Sequence, residues 1–130
     1  MPGRKMNLKI KKIEGRVYIN TTPHSVTLRD AQGLDHTVEP CGVLINARPV
    51  EESAGGRNGV EFVRTLFVAD EQSAEYLKNM EALYPGAFII GSIIAAQAFP
   101  GRVLAMVPAP GFERVPPDQK RMRADKFTIF

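Results

Sequence analysis

The sequence predicts an α+β domain built on a curved, mostly antiparallel sheet with two helices. Three observations point there: short stretches of period-two apolar alternation broken by glycine and proline turns, more hairpin signals than crossovers, and a strand-helix-strand unit over residues 88–107.

Leu8, Ile10 and Ile13 alternate with lysines, and Gly15 turns the chain into Val17-Tyr18-Ile19, which reads as a hairpin. Val26 to Arg29, the turn Asp30-Ala31-Gln32-Gly33 and the return His36-Thr37-Val38 read as a second. After Pro40-Cys41-Gly42, Val43, Ile45 and Ala47 alternate with Leu44, Asn46 and Arg48, so Val43 to Val50 is expected as a longer strand. Glu51 to Asn58 holds Ser53, Gly55 and Gly56, with Gly59 next. It is expected as an exposed, mobile loop of the kind that borders binding sites, before Val60 to Val68 resumes β structure.

Asp70 is a good N-cap with Glu71 in the first turn, and Ser73, Leu77, Met80 and Tyr84 then fall on one helical stripe until Pro85-Gly86. Phe88 to Ile90 reads as a buried strand, Ser92 as the cap of a helix running to Phe99, Pro100-Gly101 as its stop, and Val103 to Val107 as the next strand. If those strands are parallel neighbours, the crossover is right-handed and the Ser92 end opens at the carboxyl edge of the sheet. Prolines 108, 110, 116 and 117 predict an extended proline-rich segment over 108–126, and Phe127-Thr128-Ile129-Phe130 an edge strand.

A chain of 130 residues with 44% apolar and 24% charged side chains fits one soluble domain, 1–130, that needs no disulfide or metal to build its core. Cys41 is the only cysteine, which points to a reducing, cytoplasmic setting. The run Ala87 to Phe99 is too short for a membrane span, and the basic segment 1–12 lacks the apolar core of a secretory signal, so no membrane is expected. The net charge of +3 is concentrated at Arg4, Lys5, Lys9, Lys11 and Lys12 and at Lys120, Arg121, Arg123 and Lys126. No aromatics alternate with these charges as stacking platforms would require, so they read as solvated surface and nucleic acid is not an expected partner.

Chemistry-bearing residues are few. A helix start directly after a buried strand aims unpaired N–H groups at whatever lies over the strand end, so Ser92 is read as an N-cap and as an anion contact. A nucleophilic role is disfavoured because Ile94 stands where a hydrolase elbow carries glycine. In Thr21-Thr22-Pro23-His24, proline fixes the backbone and presents the imidazole beside two hydroxyls. Thr22 and His24 are therefore ligand-binding candidates, and His24 is the general base if there is one, with Asp30 and Asp35 as possible orienters. Arg48 and Arg102 suit a phosphate, although a surface salt bridge is the ordinary alternative for each. Gln97 lies within an apolar helix, where a buried amide must bond the core backbone or read a ligand edge. His24, His36 and Cys41 lack the tight pairing of a zinc site, and Gly55-Gly56-Arg57-Asn58-Gly59 lacks the ending of a P-loop, so no metal or cofactor is expected.

The run Asn20-Thr21-Thr22-Pro23-His24-Ser25-Val26-Thr27-Leu28 resembles the opening of a family of small phage and bacterial proteins that carry Asn-Leu-Thr-Pro-His before a strand. Glu39-Pro40-Cys41-Gly42, Ala47-Arg48 and Phe88 to Ala98 are similar to its later landmarks, so the resemblance spans roughly residues 17–110. Thr21 replaces leucine, Cys41 replaces serine, and the helix at Asp70 to Tyr84 is an insertion. The resemblance implies a phage or mobile-element origin and one polar site made by His24, Arg48, Ser92, Gln97 and Arg102.

The expected function is binding, without turnover, of an anionic small molecule such as a nucleotide or cyclic nucleotide signal. Sequestering phage anti-defence proteins as a class work in this way. It needs donors and preorganisation but no activated nucleophile. The alternatives are a phosphodiesterase or other hydrolase using His24, and a protein-interaction or assembly module using the terminal strands. A homo-oligomer is the expected assembly.

Overall fold

Alternation of buried and exposed side chains produces two layers from one sheet. The computed structural model describes residues 6–130; Arg4 and Lys5 of the basic N-terminal segment lie outside the described residues. The elements are β1 (Lys11–Ile13), β2 (Arg16–Asn20), β3 (Val26–Arg29), β4 (Asp35–Val38), β5 (Ala47–Arg57), β6 (Val60–Ala69), α1 (Glu71–Leu83), β7 (Phe88–Gly91), α2 (Ile93–Ala98), β8 (Leu104–Pro108), a 3₁₀ turn (Pro117–Gln119) and β9 (Met122–Thr128).

Seven strands form one sheet in the order β1-β2-β7-β8-β9-β3-β4, and β5-β6 form a separate hairpin. Antiparallel pairs outnumber parallel ones: β1/β2, β3/β4, β8/β9 and β5/β6 against β2/β7, β7/β8 and β3/β9. The sheet curls until Pro40, just past β4, bridges to Asn20 at the end of β2, which brings it close to a closed barrel. The fold is thus α+β, with a curved, mostly antiparallel sheet and two helices.

Tyr18 and Ile90 point inward with Ile13, Leu28, Val38 and Ala124, while their chain neighbours Ile19 and Ile89 point outward. There they pack with Cys41, Ile45, Leu77, Met80, Ala95, Ala96, Phe99 and Val103 beneath the two helices. The expected caps are present. Asp70 accepts from the Ser73 N–H at 3.1 Å and Ser92 from the Ala95 N–H at 3.0 Å. Both N-terminal hairpins form where expected, and Glu14-Gly15 turns the first with φ of 51° and 77°.

Three expectations are corrected. The strand after Gly42 starts at Ala47, because Val43 to Asn46 run without strand pairing while Ile45 buries its side chain. Glu51 to Asn58 is not a loop. Residues through Arg57 belong to β5 and pair with β6, with a register shift between Ser53 and Gly56, and Asn58-Gly59, with φ of 52° and 80°, makes the tight two-residue turn that matches strand twist. The C-terminal strand is not at an edge: β9 begins at Met122, lies between β8 and β3, and ends before Ile129. No helix among the described residues is long and apolar enough to cross a membrane.

Candidate functional site

The Thr-Pro-His segment is held by a buried amide. Asn20 is fully buried at the end of β2, and its Nδ2 donates to the carbonyls of His24 at 2.8 Å and Val38 at 3.0 Å. Its Oδ1 accepts from the Thr22 N–H at 2.9 Å and the Thr22 hydroxyl at 2.6 Å. Every hydrogen-bonding position of the amide with a strong partner is used, so one side chain fixes the loop from Thr22 to His24 and ties it to β4. The Thr22 hydroxyl also lies 3.0 Å from the His24 carbonyl, but it has a single proton. With that proton committed inside the loop, Thr22 meets a ligand through its oxygen lone pairs.

His24 lies exposed on the rim of a cavity of about 480 Å³ lined by Thr22, His24, Ser25, Val26, Thr27, Met106, Pro117, Asp118, Lys120 and Met122. The β8/β9 register shifts between Met106↔Phe127 and Pro108↔Met122, at the strand positions whose Met106 and Met122 line the cavity. Val26, Met106, Met122 and Pro117 supply apolar surface; Lys120 and His24 supply nitrogen donors, Ser25 and Thr27 hydroxyls, and Asp118 a carboxylate. The Lys120 ammonium donates one bond to the Glu113 carbonyl at 3.2 Å and keeps two protons for other acceptors. The His24 imidazole has no hydrogen-bond partner among the described residues.

Thr22 also lines a smaller cleft of about 150 Å³ with Thr21, Pro23, Leu44, Ile45, Asn46 and Ser92. The Ser92 oxygen there already accepts from its own helix, and α2 is only six residues long, so its dipole is short. Three other expected site residues lie elsewhere. Arg48 is on the exposed hairpin opposite Val68. Gln97 is exposed on α2, so its amide needs no buried partner. Arg102 forms a two-pronged bond to Glu81 at 3.0 and 2.7 Å, over the Phe99 ring, and holds the Glu81 carboxyl below its usual range. The single polar site expected from the resemblance is therefore divided: His24 lines the large cavity, Ser92 lines the separate cleft, and Arg48, Gln97 and Arg102 lie apart, while Thr22 lines both the cavity and the cleft.

Neither expected orienter reaches His24. Asp30 accepts from the His36 ring N–H at 2.8 Å and from the Gln32 and Leu34 N–H groups, and its carboxyl is held below its usual range first by the His36 bond. Asp35 pairs with Arg29 and Arg121, both cations stacking on Phe112. Arg123 pairs with Asp125, so much of the C-terminal basic cluster is neutralised within the chain. Burial pushes the Cys41 thiol up, which keeps it protonated and a poor nucleophile.

Sequence reasoning missed Ser25, Thr27, Met106, Asp118, Lys120 and Met122. A local signal existed only for Ser25-Val26-Thr27, which continues the His24 strand entry with alternating polarity. Met106 and Met122 look like core residues, and Lys120 like a solvated charge. No family model, curated protein or solved structure matches the chain.

Proposed function

We propose that the protein binds a small organic anion of nucleotide size in the cavity beside β3 and holds it unchanged. The observation that carries this is the cavity itself. At about 480 Å³ it falls in the range of ligand sites, with apolar methionine surface and a few convergent polar groups. A flat heterocycle suits the polarisable floor of Met106 and Met122. A phosphate suits the free protons of Lys120 and the His24 ring N–H, and sugar hydroxyls suit Asp118 and Thr22. The segment carrying Thr22 and His24 is preorganised by Asn20, which lowers the ordering cost of binding. The resemblance of Asn20 to Leu28 to phage proteins extends the reading to sequestration of a nucleotide signal.

His24 and Asp118 line the same cavity, which favours a hydrolase as the second reading. Calorimetric titration with mononucleotides and cyclic dinucleotides, followed by mass analysis of the released ligand, separates the two. Binding with the ligand recovered intact is expected, with affinity lowered at least tenfold by Lys120→Glu and blocked by Met122→Trp, which fills the cavity. A hydrolysed product, with turnover lost but affinity kept in His24→Ala, moves the assignment to catalysis. Absence of binding across the whole panel sinks both.

A further inference from the structure

The β5-β6 hairpin is unlike the rest of the molecule, because none of its residues is buried. Its 11- and 10-residue strands pair only with each other. A two-stranded ribbon in water is marginal on its own, and β6, Val-Glu-Phe-Val-Arg-Thr-Leu-Phe-Val-Ala, is rich in β-branched and aromatic residues with no glycine or proline to blunt its edge. The cross-strand register places Arg48, Val50, Glu52, Leu66, Arg64 and Val68 on one face, and Phe62 and Val60 continue it toward the tip. Arg57 lies over the Phe62 ring at 5.8 Å on that same face.

Further apolar surface is exposed near the root of the hairpin. Helix α2 packs against β5 and β6, and it leaves Ile93 and Ile94 exposed, with Leu44 beside Ser92. Val50, Val60, Phe62, Leu66, Leu44, Ile93 and Ile94 are each 36% to 61% exposed. With about 200 Å² for a fully exposed large apolar residue, the seven offer about 650 Å² per copy, so a twofold that buried all of them would cover about 1,300 Å², within the ~1,200–2,000 Å² of a standard-size interface.

We propose that this face is a dimerisation surface and that its occupant is a second copy of the same chain. The charges select that occupant. Glu52 stands opposite Arg64 and Val50 opposite Leu66 across the hairpin. A twofold axis running along the arm lays β5 of one copy over β6 of the other, so each Glu52 meets the second copy's Arg64, two pairs in all, and each Val50 meets a Leu66. The apolar contacts supply adhesion and the exchanged ion pairs supply register.

Sedimentation velocity and light scattering on the full chain test this. The wild type is expected at twice the 14.3 kDa chain mass, and Phe62→Glu and Leu66→Glu at the single mass. Because both side chains are exposed in one copy, the variants are expected to keep the wild-type circular dichroism, which separates lost association from lost folding. Glu52→Arg is expected to weaken association at least tenfold, and adding Arg64→Glu to restore it. A wild type that sediments as a single chain at micromolar concentration overturns the proposal, as does a dimer that survives both glutamate variants. A single chain bound stoichiometrically to a different protein through the arm overturns it in favour of that partner.

Discussion

Replacing Asn20 with alanine tests what builds the candidate site. The substitution removes four hydrogen bonds and leaves the Val38 carbonyl and the Thr22 N–H without their partner, while the freed Thr22 hydroxyl can turn to the His24 carbonyl 3.0 Å away. The Val38 bond is fully buried and its orphaned carbonyl costs about 1–3 kcal/mol; the others are part-buried, and water recovers some of them, leaving about 0.5–1.5 kcal/mol each. Together with the small void left by the amide, the loss is about 3–5 kcal/mol, a large share of the ~5–15 kcal/mol that holds a domain folded. In urea, with a slope of about 1–3 kcal/mol per molar, the unfolding midpoint is expected to fall by roughly 2 M with the slope unchanged. Asn20→Asp keeps the shape and the acceptor but turns a second oxygen toward two carbonyls. It is therefore expected to be worse at neutral pH than in mild acid, where the protonated carboxyl donates one bond. A loss below about 1 kcal/mol for the alanine variant would refute the role of Asn20 as anchor.

The Tyr18 hydroxyl donates to the Ala124 carbonyl at 2.6 Å in the barrel interior, so Tyr18→Phe is expected to cost about 1–3 kcal/mol by chemical denaturation; no measurable change would mean another donor replaces it. A Cβ on Gly91 would stand 2.5 Å from Val103 Cγ1 and 3.2 Å from Thr21 Oγ1, so Gly91→Ala is expected to destabilise by about 1–3 kcal/mol, and a neutral or stabilising result would contradict the close packing there. Ser92→Ala removes the α2 cap and is expected to cost about 1 kcal/mol while leaving affinity at the large cavity unchanged; lost affinity without lost stability would bring Ser92 back into the site. The carboxyls of Asp30, Asp35, Glu81 and Asp125 are all held below their usual range by their His36, Arg29, Arg102 and Arg123 partners. Their contribution is complete above the unfolded values near ~4 and is lost as pH falls through the folded ones, so the thermal midpoint is expected to drop below about pH 4; a midpoint that holds or rises there would show these pairs contribute nothing.

Local signals in the chain were mostly sound. The Asp70 and Ser92 caps, the Glu14-Gly15 turn and both early hairpins follow from chemistry that acts over a few residues. The turn at Asn58-Gly59, between Val50 and Val60, is a strong hairpin signal in the sequence, whereas Gly55 and Gly56, which read as loop residues, fall where the β5 register shifts. Gln97 was misplaced for a related reason: a six-residue helix buries only Ala95 and Ala96, so an apolar run around a polar residue does not imply that the polar residue is inside.

By itself, then, the sequence determined most of the element types and the α+β class. It did not reveal that Asn20 is the anchor. Tertiary structure decided which residues share the cavity, because Leu28 pairs with Met122 and Met106 with Phe127, and strand partners so far apart in the chain bear no mark of one another in local pattern. It also separated Arg48 and Arg102 from His24. Periodicity and caps are set by neighbours three or four residues away, whereas the order of strands in a sheet, and so the company each side chain keeps, is set by the packing of the whole chain at once.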